Sequence, residues 1–254
     1  MSQLTAADIV AAAAELMRAG QWAAATDLLT ATRADDPGER RSLALALAEV
    51  AVDRDFAQQT DHASAALAAV DEVADNSIAW DVDMLKLRKD YANALFGSEC
   101  DADELAERAA RLIDQAPDDR RRGAVTFYAG VMADNLLDRP DEAFTHYTTA
   151  LRLGEKTDDP LLMSYALRHL GDHAHTAGDL PLARQHWELS TEQRQQTGHL
   201  LGALAQQTLL AMLLRDESDA AGSRAVATEV NRWARQVPIP GIVQQTTDLM
   251  TPSR

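Results

Sequence analysis

The stretch Leu167-Arg168-His169-Leu170-Gly171-Asp172-His173-Ala174-His175-Thr176-Ala177-Gly178, followed by Ala183 and Trp187, decides the fold. Leu167, Leu170, Gly171 and Ala174 fall at the spacing that lines one face of an α-helix, and Gly178 supplies a residue able to end it. Ala183 and Trp187 sit four apart at the start of a second helix, a small residue and a large aromatic on one face. The same spacings appear near the N-terminus in Ile9, Ala12, Ala13, Leu16 and Gly20, then Ala25, Leu29 and Pro37. A two-helix unit therefore recurs along the chain.

These residues resemble the signature of the tetratricopeptide repeat family, W-x2-L-G-x2-Y followed by A-x3-F, with Ile9 and Leu16 in place of the usual aromatics. The resemblance is clearest over 5–37 and 120–236, and the middle third diverges. Second-helix alanines give the period: Ala143 and Ala183 are 40 residues apart, as are Ala183 and Ser223, and Ala25, Ala65 and Ala106 continue the series toward the N-terminus. The family's usual unit has about 34 residues, so the helices are extended by about a turn, as in the long-helix form found in bacterial regulators and signalling scaffolds. The resemblance implies an all-α fold, a right-handed α-solenoid of about six antiparallel helix pairs. It covers 1–237 as a single domain, with 238–254 (Pro238, Pro240 and Pro252 among them) as a tail or short helix.

Composition agrees with an all-α reading. Alanine, the best helix former, is abundant, aromatics are 5% of the chain, and period-two alternation is scarce. The predicted helices are 5–18, 21–34, 39–56, 61–74, 77–96, 102–115, 121–137, 141–156, 161–177, 180–196, 200–215 and 219–236. Asp159-Pro160, Gly178-Asp179 and Gly97-Ser98 punctuate them with turn and capping chemistry.

The net charge is −16. An acidic surface repels phosphate backbones, so nucleic acid is not an expected partner, whereas a cationic one is compatible. Arg120, Arg121 and Arg122 follow Asp118 and Asp119 and read as a helix start. Cys100 is the sole cysteine, so no internal disulfide or Cys-His metal spacing is available. No signal peptide and no apolar run long enough to span a membrane is seen, and a cytoplasmic location is expected. Phosphate-loop, nucleophile-elbow and H-E-x-x-H motifs are missing, so no catalytic residue, cofactor or metal is assigned. No basic helix-turn-helix unit precedes the repeats.

Stacked repeats present their first helices on a concave side. The resemblance implies that Tyr165, Arg168, His169, Asp172, His175 and Thr176, on the face opposite the apolar stripe, line a groove for a peptide or protein segment. Family members often grip a peptide carboxylate there with Lys, Arg and Asn; Asp172 stands where Asn is common and favours a cationic or hydrogen-bond-donating ligand instead. Tyr128, Met132 and Asn135 are expected on the groove side of their helix with Val125, and Gln206, Gln207 and Thr208 on a third wall. Asp134 shares a face with Phe127 and Val131, where a buried carboxylate needs a partner, and Arg168 or His169 is a candidate. The leading reading is a non-enzymatic peptide- or protein-binding scaffold. The second is a peptide or small-molecule sensor. The least supported is a metal site or enzyme built on His169, His173 and Asp134, where the i,i+4 histidines point the same way but no third ligand is fixed.

Overall fold

The computed structural model describes residues 4–71, 73, 75–237 and 239–251. Among these residues α-helix is the regular structure throughout, and the chain packs as two compact units, Met1–Arg139 and Pro140–Arg254. The first unit holds α1 (Ala6–Arg18), α2 (Trp22–Ala31), α3 (Pro37–Gln58), α4 (Ala63–Asp71), α5 (Ala79–Leu95), α6 (Ala102–Asp114) and α7 (Asp119–Asn135). The second holds α8 (Pro140–Thr157), α9 (Pro160–Thr176), α10 (Leu180–Gln196), α11 (Leu200–Asp216), α12 (Ala220–Ala234) and α13 (Pro240–Met250). Within each unit consecutive helices pack on one another: α1 on α2, α3 on α4 and α6 on α7 in the first, and α9 on α10, α11 on α12 and α12 on α13 in the second. No described helix is long and apolar enough to cross a membrane. Pro238, Pro252 and the residues after Pro252 lie outside the described residues, as do Glu72 and Ala74 of the expected 61–74 helix.

Capping explains where the helices begin. Thr5 and Asp8 form a reciprocal capping box at α1. Asp36, Asp101, Asp118, Asp159, Asp179 and Asp219 each accept from a backbone amide three residues on and open the next helix. In the second unit the same residue also closes the helix before it. The amides of Asp159, Asp179 and Asp219 donate to the carbonyls of Gly154, Ala174 and Leu214 at 2.9, 2.9 and 2.8 Å. Each follows a residue in the left-handed conformation, Asp158 (φ 50°), Gly178 (80°) and Ser218 (71°). A fourth turn has Gly198 (67°) followed by His199, whose amide donates to the Arg194 carbonyl at 2.8 Å. One closing-and-capping residue thus recurs every 20 positions, and two such helices make the 40-residue unit.

Close helix approach explains the glycine of the opening stretch. Trp187 on α10 is 1% exposed and packs against α9, where its Nε1 donates to the Arg168 carbonyl at 2.9 Å. A Cβ at Gly171 would overlap the indole Cδ1 and Nε1. Glycine's cost in helix propensity is therefore tolerated for backbone contact with the largest aromatic. The core around α3–α5 is built from Ala48, Val52, Ala63, Leu67, Val70, Val82 and Leu85, and that around α11–α13 from Leu204, Val230, Ala234, Ile239 and Ile242.

Two members of the alanine series are misplaced in the sequence reading. On α4 the fully buried small residue is Ala63 and Ala65 is exposed; on α6 Leu105 is buried and Ala106 only half-buried. Alanine-rich segments look alike in several registers, because helix-forming tendency does not distinguish one alanine from the next.

Candidate functional site

In the second unit α9 carries the densest cluster of polar groups. Arg168 and Asp172, one turn apart, form an ion pair at 3.0 Å, each side chain 31% exposed. Asp172 is therefore not an unpaired acid awaiting a cationic ligand. Arg168 Nη1 also lies 3.1 Å from His169 Nε2. His169 turns away from solvent, stacking on Tyr147 of α8 with ring centroids 4.7 Å apart. Its side chain is 13% exposed. Burial, and after it the positive charges of Arg168 and Arg194, hold the His169 ring well below the ordinary imidazole range. It is a neutral packing group at neutral pH. His173 also meets Tyr147, edge-on at 5.8 Å, and Phe144 at 5.9 Å.

His175 and Tyr165 tie α9 to its neighbours. His175 Nε2 sits 2.9 Å from Asp216 Oδ2 at the end of α11, and its ring lies 5.4 Å from that of Trp187. A hydrogen bond from Arg215, and after it one from His175, holds the Asp216 carboxyl below the usual range. Thr176 is exposed and bonded to the Asp172 carbonyl. The Tyr165 hydroxyl lies 3.3 Å from His199 Nε2. Since His199 Nδ1 accepts the Gly202 amide at 2.9 Å, the ring proton is on Nε2 and is donated to Tyr165.

Behind this pair stands Arg194 of α10, which the sequence reading did not single out. Arg194 is 4% exposed, its guanidinium lies 5.1 Å from the Tyr165 ring centroid, and its Nε has no hydrogen-bond partner. Burial pulls its pKa down to about 10. On the same face of α10, Ser190 donates to the Ser164 carbonyl at 2.6 Å and accepts from Gln206 Nε2, while Gln206 Oε1 has no donor. Gln206 and Thr208, expected on an open wall, are both buried, and Gln207 is half-buried. A hydrophilic arginine reads as surface in isolation. Its signal is the 20-residue turn series, in which His199 stands where Asp159, Asp179 and Asp219 stand elsewhere.

The first-unit residues differ in how enclosed they are. Met132 and Val125 are fully buried, which removes the flexible thioether from any open groove. Tyr128 is half-buried, edge-on to Tyr91 at 5.9 Å, with the Arg88 guanidinium 5.9 Å from its centroid. Asn135 is exposed and donates to the Tyr91 hydroxyl at 2.7 Å. Asp134 is half-buried rather than enclosed with Phe127 and Val131. The reason is that α7 buries residues nearly all round, so no apolar stripe marks its inner face. Among the described residues no group of three His, Cys, Asp or Glu side chains is placed to hold a metal ion.

No protein-family model and no curated protein matches the sequence. Solved structures do resemble it. A Rap protein complexed with competence and sporulation factor matches with a TM-score of 0.65 at 10% identity, over 96% of this chain and 69% of that one. A signal transduction ATPase with numerous domains, carrying a tetratricopeptide repeat sensor and from Pyrococcus horikoshii, matches with a TM-score of 0.54 at 13% identity. That match covers 96% of this chain but 38% of the other. The fold is the tetratricopeptide-repeat fold. The tetratricopeptide-like hairpin of α9 and α10 carries Trp187 over Gly171, the contact for which the signature's small residue leaves room.

Proposed function

We propose that this chain is a non-enzymatic protein- or peptide-binding module, and that its second unit binds through the face of α9 next to α11. The observation that carries the reading is the Tyr165–Arg168–Asp172 row. These groups are half-buried on a first helix, Arg168 and Asp172 paired with each other and Tyr165 meeting His199. An aromatic, a cation and an anion in fixed positions offer a peptide both side-chain contact and hydrogen bonds at little ordering cost. The structural neighbours support it at the level of fold: one is described in complex with a factor and the other as having a sensor module. The same descriptions support a sensor role as the second reading. With a net charge of −16 the surface attracts partners that are basic along most of their length.

Capture from native lysate tests the proposal. Wild-type protein and the Arg168→Ala/Asp172→Ala double variant are compared after both are shown to be folded. The expected result is at least about a tenfold drop in one specific partner, corresponding to about 1.4 kcal/mol of lost binding. Equal recovery of every partner overturns the assignment of this face.

A further inference from the structure

In the first unit a cavity of about 120 Å³ lies between the end of α3 and the end of α5. Two turns make its walls. After α3 the chain passes through Gln59 in the left-handed conformation (φ 55°). Asp55 gathers the residues that follow: its carboxylate accepts from the Thr60 hydroxyl at 2.6 Å and from the amides of His62 and Ala63 at 3.0 and 2.7 Å. After α5, Gly97 has a positive φ (97°) and the Ser98 amide donates to the Asn93 carbonyl at 2.9 Å. The back of the cavity is apolar, with Val52, Ala63 and Ala92 buried. Phe96 stands at the rim, 45% exposed, its ring 5.7 Å from that of Phe56, which is 47% exposed. A half-exposed aromatic pair leaves apolar surface in water that a ligand can cover.

The polar groups around this cavity fall into two sets. Asp55 is committed to its three donors. Asp61 accepts from the Ser64 hydroxyl, and that bond and, after it, the charge of Lys89 hold its carboxyl below the usual range. Lys89 and Asp61 thus offset each other across the opening. Gln59, Asn93 and Ser98 form the second set: among the described residues their side chains make no hydrogen bond. All three are uncharged, and each both donates and accepts. An added anion meets Asp55 and Asp61, and an added cation meets Lys89, so the site favours neither sign of charge.

We propose that this cavity binds a neutral polyhydroxylated ring, a sugar, with its C–H face on Phe96 and its hydroxyls on Gln59, Asn93 and Ser98. Each sugar hydroxyl donates and accepts at one atom, which is what the two amides and the serine call for. The ring's C–H face covers apolar surface, which the exposed Phe96 supplies. A ligand of this kind carries no charge, in keeping with the offset of Asp61 and Lys89. The volume is that of about four waters at ~30 Å³ each, room for part of one ring and not for a chain of them. The site lies wholly in the first unit and shares no residue with the α9 face, so it adds a second ligand class to the peptide-binding reading. The ring is either a free monosaccharide or the end unit of a glycan.

The test titrates the isotope-labelled full chain with small molecules and follows the amides of Gln59, Asn93 and Ser98 by NMR. Glucose and ribose represent free sugars, and methyl β-glucoside a sugar at the end of a chain. Tetrahydropyran (the ring without its hydroxyls), glycine and inorganic phosphate are the comparisons. Saturable shifts with at least one sugar, with a Kd of about 1 mM or tighter, are expected, and the tighter arm identifies the source. The three comparison compounds should give no saturable shift. Asn93→Ala and Phe96→Ala should each weaken the sugar at least about tenfold. Both residues are exposed, so both variants should keep the wild-type Tm. Should Phe96→Ala not fold, Phe96→Leu keeps the apolar bulk without the flat face and should weaken the sugar as well. No saturable shift with any sugar up to about 10 mM, equal shifts with tetrahydropyran, tighter binding of glycine or phosphate, or binding intact in the variants overturns the site. No protein partner enters these titrations, so their failure is separate from a failed lysate capture.

Discussion

Replacing Trp187 with alanine is expected to cost the second unit about 3–5 kcal/mol, the range for truncating a buried aromatic to alanine. Trp187 is 1% exposed and sets the Cδ1–Nε1 edge of its indole against Gly171 in the seam between α9 and α10. Its loss opens a cavity against Gly171, where no side chain can move in, and removes the Nε1 bond to the Arg168 carbonyl. The His175 ring, 5.4 Å away, loses a packing surface as well. Since Arg168 sits on the helix that Trp187 holds, partner capture should fall with stability. Trp187→Phe keeps most of the ring and should recover much of the loss. Gly171→Ala approaches the same contact from the other side: its methyl meets a rigid indole, and overpacking of about 1–3 kcal/mol outweighs the roughly 1 kcal/mol gained in helix propensity. Urea unfolding monitored by circular dichroism measures all three. A loss below about 1 kcal/mol for Trp187→Ala contradicts the account of this seam.

Acidification is expected to destabilise the second unit through His169. Its ring is neutral in the folded chain well below the ordinary pKa of 6.5. In the unfolded chain it takes up a proton as the pH falls through that value, so the unfolded state binds more protons and is favoured. The contribution is therefore complete above about pH 7 and shrinks below about 6.5. If the folded ring stays neutral throughout, moving from about pH 7 to about pH 5 costs about 2 kcal/mol. Arg168, Arg194, His173 and Asp172 surround the ring, and Tyr147 covers its face. His186, which burial also lowers, adds a slope of the same sign. The specific signature is the difference between wild type and His169→Gln, which lacks a titrating ring at this site. Stability curves of the two proteins should converge as the pH falls toward 5, and parallel curves contradict the burial of a neutral His169.

Much of the fold is legible in the sequence because its devices are local. Capping aspartates, prolines at helix starts and glycines at turns set helix boundaries within a few residues, and Gly171 with Trp187 identifies the hairpin. What escapes is what requires two positions to be read against each other. Asp138, Asp158 and Ser218 are left-handed without being glycine, so the 20-residue turn rhythm is only half visible as Gly178 and Gly198. In the alanine-rich α4, and in α7, which is buried on most sides, the inner face has no distinctive composition, which hid Ala63 and the burial of Met132. The α9 cluster was found as a group of residues, but the stacking of His169 on Tyr147 and the Arg168–Asp172 pair depend on neighbouring side chains. Arg194 was missed because an arginine is hydrophilic by type, and only its place between Gly154 and Ala234 in the repeat makes it unusual.

The central claim is that binding occurs on the second unit at α9 and α11. Hydrogen–deuterium exchange of the full chain, alone and with its captured partner, tests it most directly. The account predicts added protection over 160–176 and 200–216, weakened in the Arg168→Ala/Asp172→Ala variant. Protection confined to the first unit, with α9 and α11 unchanged, contradicts it.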